Sequence, residues 1–202
     1  MFLSHLKEIL KASARNSEKK YDITDHFDLS KINLQTDSIK IYSDNCSLKL
    51  IKTNSQDVHC NIYTTDTKAL ESLNISSKYV DNTLEIKITY DAELINVYVN
   101  FMLDKLKKLN IVNQNGDVCL NSIESNDLDI VSTNGDIVVE NTISKDCALN
   151  SQNGNIVLKL NKEYNLCLST KNGKLVKNSH YNNPEAKSKI FAKTKNGNIV
   201  VE

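Results

Sequence analysis

The sequence predicts an all-β fold of the solenoid type, in which the chain winds through repeated coils of β-strand. Three observations carry the prediction. All five glycines, Gly116, Gly135, Gly154, Gly173 and Gly197, directly follow an asparagine: Asn115, Asn134, Asn153, Asn172 and Asn196. Their separations are 19, 19, 19 and 24 residues, and a fixed period of this kind marks a repeat architecture. Around each pair, apolar residues alternate with polar ones, the period of a strand with one buried face.

Alignment on the glycines turns the repeat into columns. Leu109, Leu128, Cys147, Leu166 and Ile190 stand seven residues ahead, with Ile111, Ile130, Leu149, Leu168 and Ala192 five ahead. A small polar column, Asn113, Ser132, Ser151, Thr170 and Thr194, lies three ahead. After the glycine come Val118, Ile137, Ile156, Leu175 and Ile199, and two residues further Leu120, Val139, Leu158, Lys177 and Val201. Two folds give such columns. In a meander each Asn-Gly is the two-residue turn of an antiparallel hairpin. In a solenoid it is the corner of a coil, and equivalent strands of successive coils pair in parallel. The return of one residue type to one place favours the solenoid, where a side chain stacks on its own copy about 4.8 Å away.

The solenoid reading carries further expectations. Hydrogen bonds run along the inward Ser/Thr/Asn column, and each corner glycine takes a positive φ. The 24-residue interval places five extra residues between Ser179 and Lys189, around Asn182-Asn183 and the only proline, Pro184. An insertion there is expected to loop out of one corner without disturbing the stack. Ile199-Val200-Val201-Glu202 ends within the repeat pattern, so the last coil is expected to present an adhesive edge.

Ahead of the regular coils, which occupy residues 109–202, the chain reads as two parts. Residues 1–20 are expected to form a short amphipathic helix and a polar linker. Phe2, Leu3, Leu6, Ile9 and Leu10 share one helical face, Ser4 is a candidate cap, and Asn16 to Lys20 is polar. The helix is expected either to plug the open end of the β structure or to lie on a membrane surface or partner. Residues 21–202 are expected to form the β-strand-repeat domain. Ile39 and Ile41, Leu48 and Leu50, Val58, Cys60 and Ile62, and Leu84, Ile86 and Ile88 alternate with polar residues. Asp81-Asn82 is a tight turn, Val97, Val99 and Phe101 make one more strand, and Thr67 to Leu73 gives a weak hint of helix.

The segments NQNGDVCL, STNGDIVVE, SQNGNIVLKL, STKNGKLVKN and KTKNGNIVVE, led in by TLEIKITYDAELINVYVNFMLDKLKKLNI, resemble the bacterial putative-adhesin family of β-strand-repeat proteins. That family is related to the GIN-type domains of auto-transporter adhesin heads. The resemblance covers residues 38–202. It implies a right-handed parallel β-helix or related β-solenoid, no established enzyme activity, and for some members an association with the cell envelope and envelope stress.

Composition excludes several function classes. The 25 basic and 25 acidic side chains cancel, and no long basic run offers a nucleic-acid surface. Cys46, Cys60, Cys119, Cys147 and Cys167 are odd in number and lack a CxxC pair, so they read as buried reduced thiols. No secretory leader and no 18-residue apolar stretch is present, and the expected location is cytoplasmic, with peripheral membrane association as the alternative. Asp117 and Asp136 are the nearest approach to a paired carboxylate site, but their column continues as Asn155, Lys174 and Asn198. Neither that column nor His5, His26, His59 and His180 gives metal-ligand spacing, and no catalytic, cofactor or metal site is expected. The function that follows is a non-enzymatic interaction module whose faces bind protein or glycan, or which self-associates at its C-terminal end. A carbohydrate-active β-helix enzyme is the alternative.

Overall fold

The computed structural model describes residues 19–22, 38–52, 59–64, 73–90, 98–103 and 106–202. The expected helix near the N-terminus lies outside these residues, as does the helical hint at 67–72. Leu73 opens a strand instead.

In chain order the strands are β1 (Lys19–Asp22), β2 (Ser38–Asp44), β3 (Ser47–Lys52), β4 (His59–Thr64), β5 (Leu73–Val80), β6 (Thr83–Tyr90), β7 (Tyr98–Leu103), β8 (Leu106–Asn115) and β9 (Val118–Asn121). They continue as β10 (Glu124–Asn134), β11 (Ile137–Glu140), β12 (Ile143–Asn153), β13 (Ile156–Lys159), β14 (Asn165–Asn172), β15 (Leu175–Val176), β16 (Lys189–Asn196) and β17 (Ile199–Val201). A 3-10 turn, Ser179–Tyr181, precedes β16.

The strands form two sheets. One has nine strands in the order β1-β4-β7-β3-β9-β11-β13-β17-β15, the other eight in the order β14-β16-β12-β10-β8-β2-β6-β5. Every Asn-Gly pair joins a strand of the second sheet to a strand of the first, so it is a corner between sheets and not a hairpin turn. Equivalent strands pair in parallel and in register. Leu128 is matched to Leu109 on one side and Cys147 on the other, and Ile137 to Val118 and Ile156. The alternation of each strand sends one face inward, and Leu109, Ile111, Val118 and Leu120 with their counterparts form one continuous core between the sheets.

Two features depart from a stack in chain order. β16 and β17, the last strands of the chain, do not lie at the end. They pair with β12 and β13 on one side and with β14 and β15 on the other. The segment around Ser179–Lys189 is therefore not a passive excursion: it carries the chain back past one level, so that the fifth repeat inserts between the third and fourth. Tyr164 supports this return. Its buried ring lies under the segment, its hydroxyl donates to the Thr142 carbonyl at 3.0 Å, and its backbone N–H donates to the Tyr181 carbonyl. The adhesive end expected at Ile199–Glu202 is accordingly interior, and β14 with β15 forms the outermost level.

The second departure mirrors the first. β2 and β3 pair with β8 and β9 although β6 and β7 intervene in the chain, and β6 and β7 occupy the level outside them. Residues 38–52 are a repeat that the glycine alignment does not detect. Ile39, Ile41 and Ser43 match Leu109, Ile111 and Asn113, and Leu48 and Leu50 match Val118 and Leu120. Cys46 stands where the other levels have glycine. Antiparallel strands close this end: β5 pairs with β6, and β4 with β7 and β1. The β5–β6 hairpin turns on Asp81 and Asn82, whose φ values of 49° and 57° are those a type I′ turn requires.

Candidate interaction faces

The corner residues Asn115, Gly116, Asn134, Gly135, Asn153, Gly154, Asn172, Gly173, Asn196 and Gly197 come together as one line down the stack. A positive φ is present at Gly116 and Gly135, at 117° and 138°, but it is not the feature common to all five. What they share is close approach of backbone: a Cβ on any of them would fall under 3.0 Å from a carbonyl of the adjacent level. Glycine is needed because successive corners nearly touch.

The asparagine beside each glycine supplies a ladder. Asn134 Nδ2 donates to Asn115 Oδ1 at 2.8 Å, Asn153 to Asn134 at 2.8 Å, Asn196 to Asn153 at 2.7 Å and Asn172 to Asn196 at 2.7 Å. Asn115 donates in turn to Asn45 Oδ1 of the β2–β3 level at 2.8 Å. The inward Ser/Thr/Asn column, where a ladder was expected, instead binds glycine carbonyls. Asn113 reaches Gly116, Ser132 Gly135, Thr170 Gly197 and Thr194 Gly154. Asn113, Ser132 and Thr194 are buried beside the corner and Thr170 is half-buried, and a carbonyl is the acceptor within reach. The hydroxyl of Ser151, the remaining member, makes no hydrogen bond among the described residues.

The residue after each glycine forms a second ladder. The backbone N–H of Asp136 donates to Asp117 Oδ1 at 2.8 Å, that of Asn155 to Asp136 Oδ1 at 2.7 Å, that of Asn198 to Asn155 Oδ1 and that of Lys174 to Asn198 Oδ1, both at 2.9 Å. Asp117 and Asp136 are thus acceptors for the next level's backbone, a task asparagine performs equally well.

Two outward faces flank the core. On the eight-stranded sheet, Tyr42, Val112 and Val131 stand in one row and Lys40, Asn110, Asp129, Ala148 and Phe191 in the next, as the registers place them. Val112, Val131 and Phe191 are exposed. Lys40 Nζ sits 4.7 Å from the Tyr42 ring centre, and Asn110 Nδ2 donates to Asp129 at 3.4 Å. On the nine-stranded sheet, Cys119, Val138, Val157 and Val200 form an outward apolar row, the first three of them buried.

A family model for the Toastrack DUF4097 domain matches residues 8–202. The chain belongs to this family. No curated protein matches it. Among solved structures, the Toastrack chain is similar to a putative cell adhesion protein from Clostridium sporogenes, at 12% identity over 91% of this chain and 97% of that one, with a TM-score of 0.61. It also aligns with a putative adhesin from Bacteroides fragilis, at 12% identity over 92% and 96% of the two chains and a TM-score of 0.41. The first of these likenesses shows a shared fold.

The chemistry offered by the Toastrack chain's polar residues is limited. Among the described residues no three His, Cys, Asp or Glu side chains gather closely enough to hold a metal ion. His180 lies in the 3-10 turn with its ring edge-on to Tyr181, far in the stack from β4, which carries His59. His5 and His26 lie outside the described residues. A shallow depression of about 310 Å³ beside the β5–β6 hairpin is lined by Lys40, Asp81, Glu85, Lys108 and Asn110, among others. Its Glu85 carboxylate accepts a hydrogen bond from Lys78 at 2.8 Å, which holds its pKa below the usual carboxylate value. Such a group is a poor proton donor near neutrality, where a glycosidase acid needs a raised pKa. Cys46, Cys119, Cys147 and Cys167 are all free thiols. Burial pushes Cys46 up to about 11 and Cys119 and Cys147 to about 12, so they are packing groups and not nucleophiles. No helix among the described residues is long and apolar enough to cross a membrane.

Proposed function

We propose that this chain is a non-enzymatic interaction module built on a right-handed β-solenoid with 19-residue Asn-Gly coils, and that the outward face of the eight-stranded sheet is its contact surface. The observation that carries the reading is the row Tyr42–Val112–Val131 on three adjacent strands, with Phe191 in the next row and two strands beyond Val131. Val112, Val131 and Phe191 stand exposed and Tyr42 half-buried on a regular sheet, among Asn110, Asn150, Lys40, Lys87, Asp129 and Lys193. Apolar surface rimmed by amides and charges suits a flat, extended ligand, a glycan chain or a protein segment, that lies across several levels. The Clostridium sporogenes protein is named for cell adhesion, which agrees with a binding role.

The test is binding to a panel of immobilised bacterial polysaccharides and envelope proteins, with Val131→Glu and Phe191→Ala as face variants. Loss of a retained ligand in these variants, with the thermal transition unchanged, supports the surface. Release of new reducing ends from any polysaccharide favours the carbohydrate-active alternative. A second mode, self-association, is favoured at the outermost level, where Leu175 and Val176 are exposed on β15. A molar mass that rises with concentration in light scattering supports it, and a constant monomer mass removes it.

A further inference from the structure

Val138 and Val157 point away from the core, from β11 and β13, yet each is only 1% exposed. Val112 and Val131, the same side chain on the other outward face, are 36% and 41% exposed. Stacking between levels is common to all four and does not account for the difference. Cys119 and Val200 complete the row, and among the described residues no apolar side chain outside it joins the cluster. The charged neighbours are sheltered as well: Lys159 and Glu140, 3.8 Å apart, keep 25% and 23% side-chain exposure. The cover is graded along the stack. Cys119, Val138 and Val157 are buried, Val200 is half-buried, and Val176, next beyond it, is 52% exposed.

We infer that this row is the docking site of the chain's own residues 2–11. Phe2, Leu3, Leu6, Ile9 and Leu10 follow the spacing that gathers apolar side chains on one stripe of a helix, the complement of a flat row of valines. Residue 18 leads directly into β1, which is the outermost strand of this same sheet. β9 and β13 lie four and six strands from β1, or about 19 and 29 Å. The eight residues 11–18 span up to about 28 Å when extended, so the stripe reaches β9, β11 and β13 and runs out near β17. The three buried members of the row lie within that reach, and half-buried Val200 and exposed Val176 lie beyond it. Charges of both signs stand on each side, Lys7, Glu8 and Lys11 in the segment and Glu140 with Lys159 beside the row, so neither surface repels the other as a whole.

Cys119 reports on the docking, because its thiol lies in the row. Maleimide labelling followed by peptide mapping reads each cysteine separately. In the full chain exposed Cys167 is expected to label readily and buried Cys46, Cys119 and Cys147 slowly. Deletion of residues 2–11, or Leu6→Glu with Ile9→Glu, is expected to speed labelling of Cys119 by about tenfold or more while Cys46 and Cys147 stay protected. Cys119 labelling as slowly in these variants as in the full chain overturns the inference and assigns the cover to another segment. If the variants unfold, so that Cys46 and Cys147 also label, the decision passes to Leu6→Cys in the full-length chain. The Leu6→Cys thiol labels as slowly as Cys119 if the inference holds, and labelling as ready as that of Cys167 overturns it. Sedimentation of the full chain with phosphatidylglycerol vesicles, with Cys119 still slow, counts equally against it, because the stripe would then be on the membrane and not on the sheet.

Discussion

Gly135 has a glycine above it and another below it at the corner, and that crowding decides what substitution does there. A Cβ would collide with the Gly116 carbonyl, and the φ of 138° is strained for any other residue. Gly135→Ala is expected to lower stability by about 3 kcal/mol or more in urea unfolding. Asn134→Ala removes one donated and one accepted ladder bond, at an expected cost of about 1–2 kcal/mol. The buried thiols make stability depend on pH at the alkaline end. Their folded pKa values are about 11 for Cys46 and about 12 for Cys119 and Cys147, against an ordinary 9.0. Below pH 9.0 both states hold these protons. Above it the unfolded chain releases them while the native chain keeps them, so stability falls by about 1.4 kcal/mol per pH unit for each thiol. Cys147→Ala should flatten the decline between pH 9.0 and about 11, even though the cavity it leaves lowers stability at neutral pH. An unchanged alkaline slope would mean that this thiol ionises freely in the folded state.

At the scale of the element, the column after each glycine explains its own irregularity. Ordered by level, it reads Ser47, Asp117, Asp136, Asn155, Asn198, Lys174, and each member but the last accepts a hydrogen bond from the next N–H. Lysine is the one residue there that has no acceptor, and it occupies the level with no neighbour to serve. In chain order Lys174 would stand between Asn155 and Asn198 and break the ladder. Asn155→Lys is therefore expected to cost about 1–3 kcal/mol, because the buried side of Asn198 N–H loses its partner. Lys174→Ala should stay within about 0.5 kcal/mol. A large effect at Lys174 would show the end level to be covered. The column was fully legible in the sequence. Its departure from aspartate, which argues against paired-carboxylate chemistry, has its physical reason only in the ladder.

At the scale of the molecule, the two exchanged levels place β2 with β3 and β16 with β17 inside the stack. Removing residues 189–202 takes out β16, which lies between β12 and β14, and β17, which lies between β13 and β15. Such a truncation is expected to detach β14 and β15 and lower the thermal transition, not merely shorten the solenoid by one coil. A truncated chain with the parental transition would contradict the exchange. The end level carries Lys171, Lys174 and Lys177, charges that weaken the self-association proposed through Leu175 and Val176. Replacement of all three by threonine should promote concentration-dependent association, read by light scattering.

The repeat, its period, its corners and its core columns were determined by the sequence alone, because a strand that stacks on its own copies writes the same demand at every level. Two glycine-free levels escaped detection for a local reason. Cys46 replaces glycine at one, although Asn45, Ser43, Leu48 and Leu50 keep the other columns, and this pattern is the signal that finds it. The order of the levels was decided only in the tertiary structure. Parallel pairing is satisfied by any neighbour with the same columns, so β12 accepts β16 as well as β14. What selects between them is longer-range: the length of chain around Ser179–Lys189, the support of Tyr164 and the need to place Lys174 where nothing stacks on it. The buried outward row of Cys119, Val138 and Val157 belongs to the same class. Alternation along a short strand says which residues face outward, and only the packed molecule says which outward face is covered.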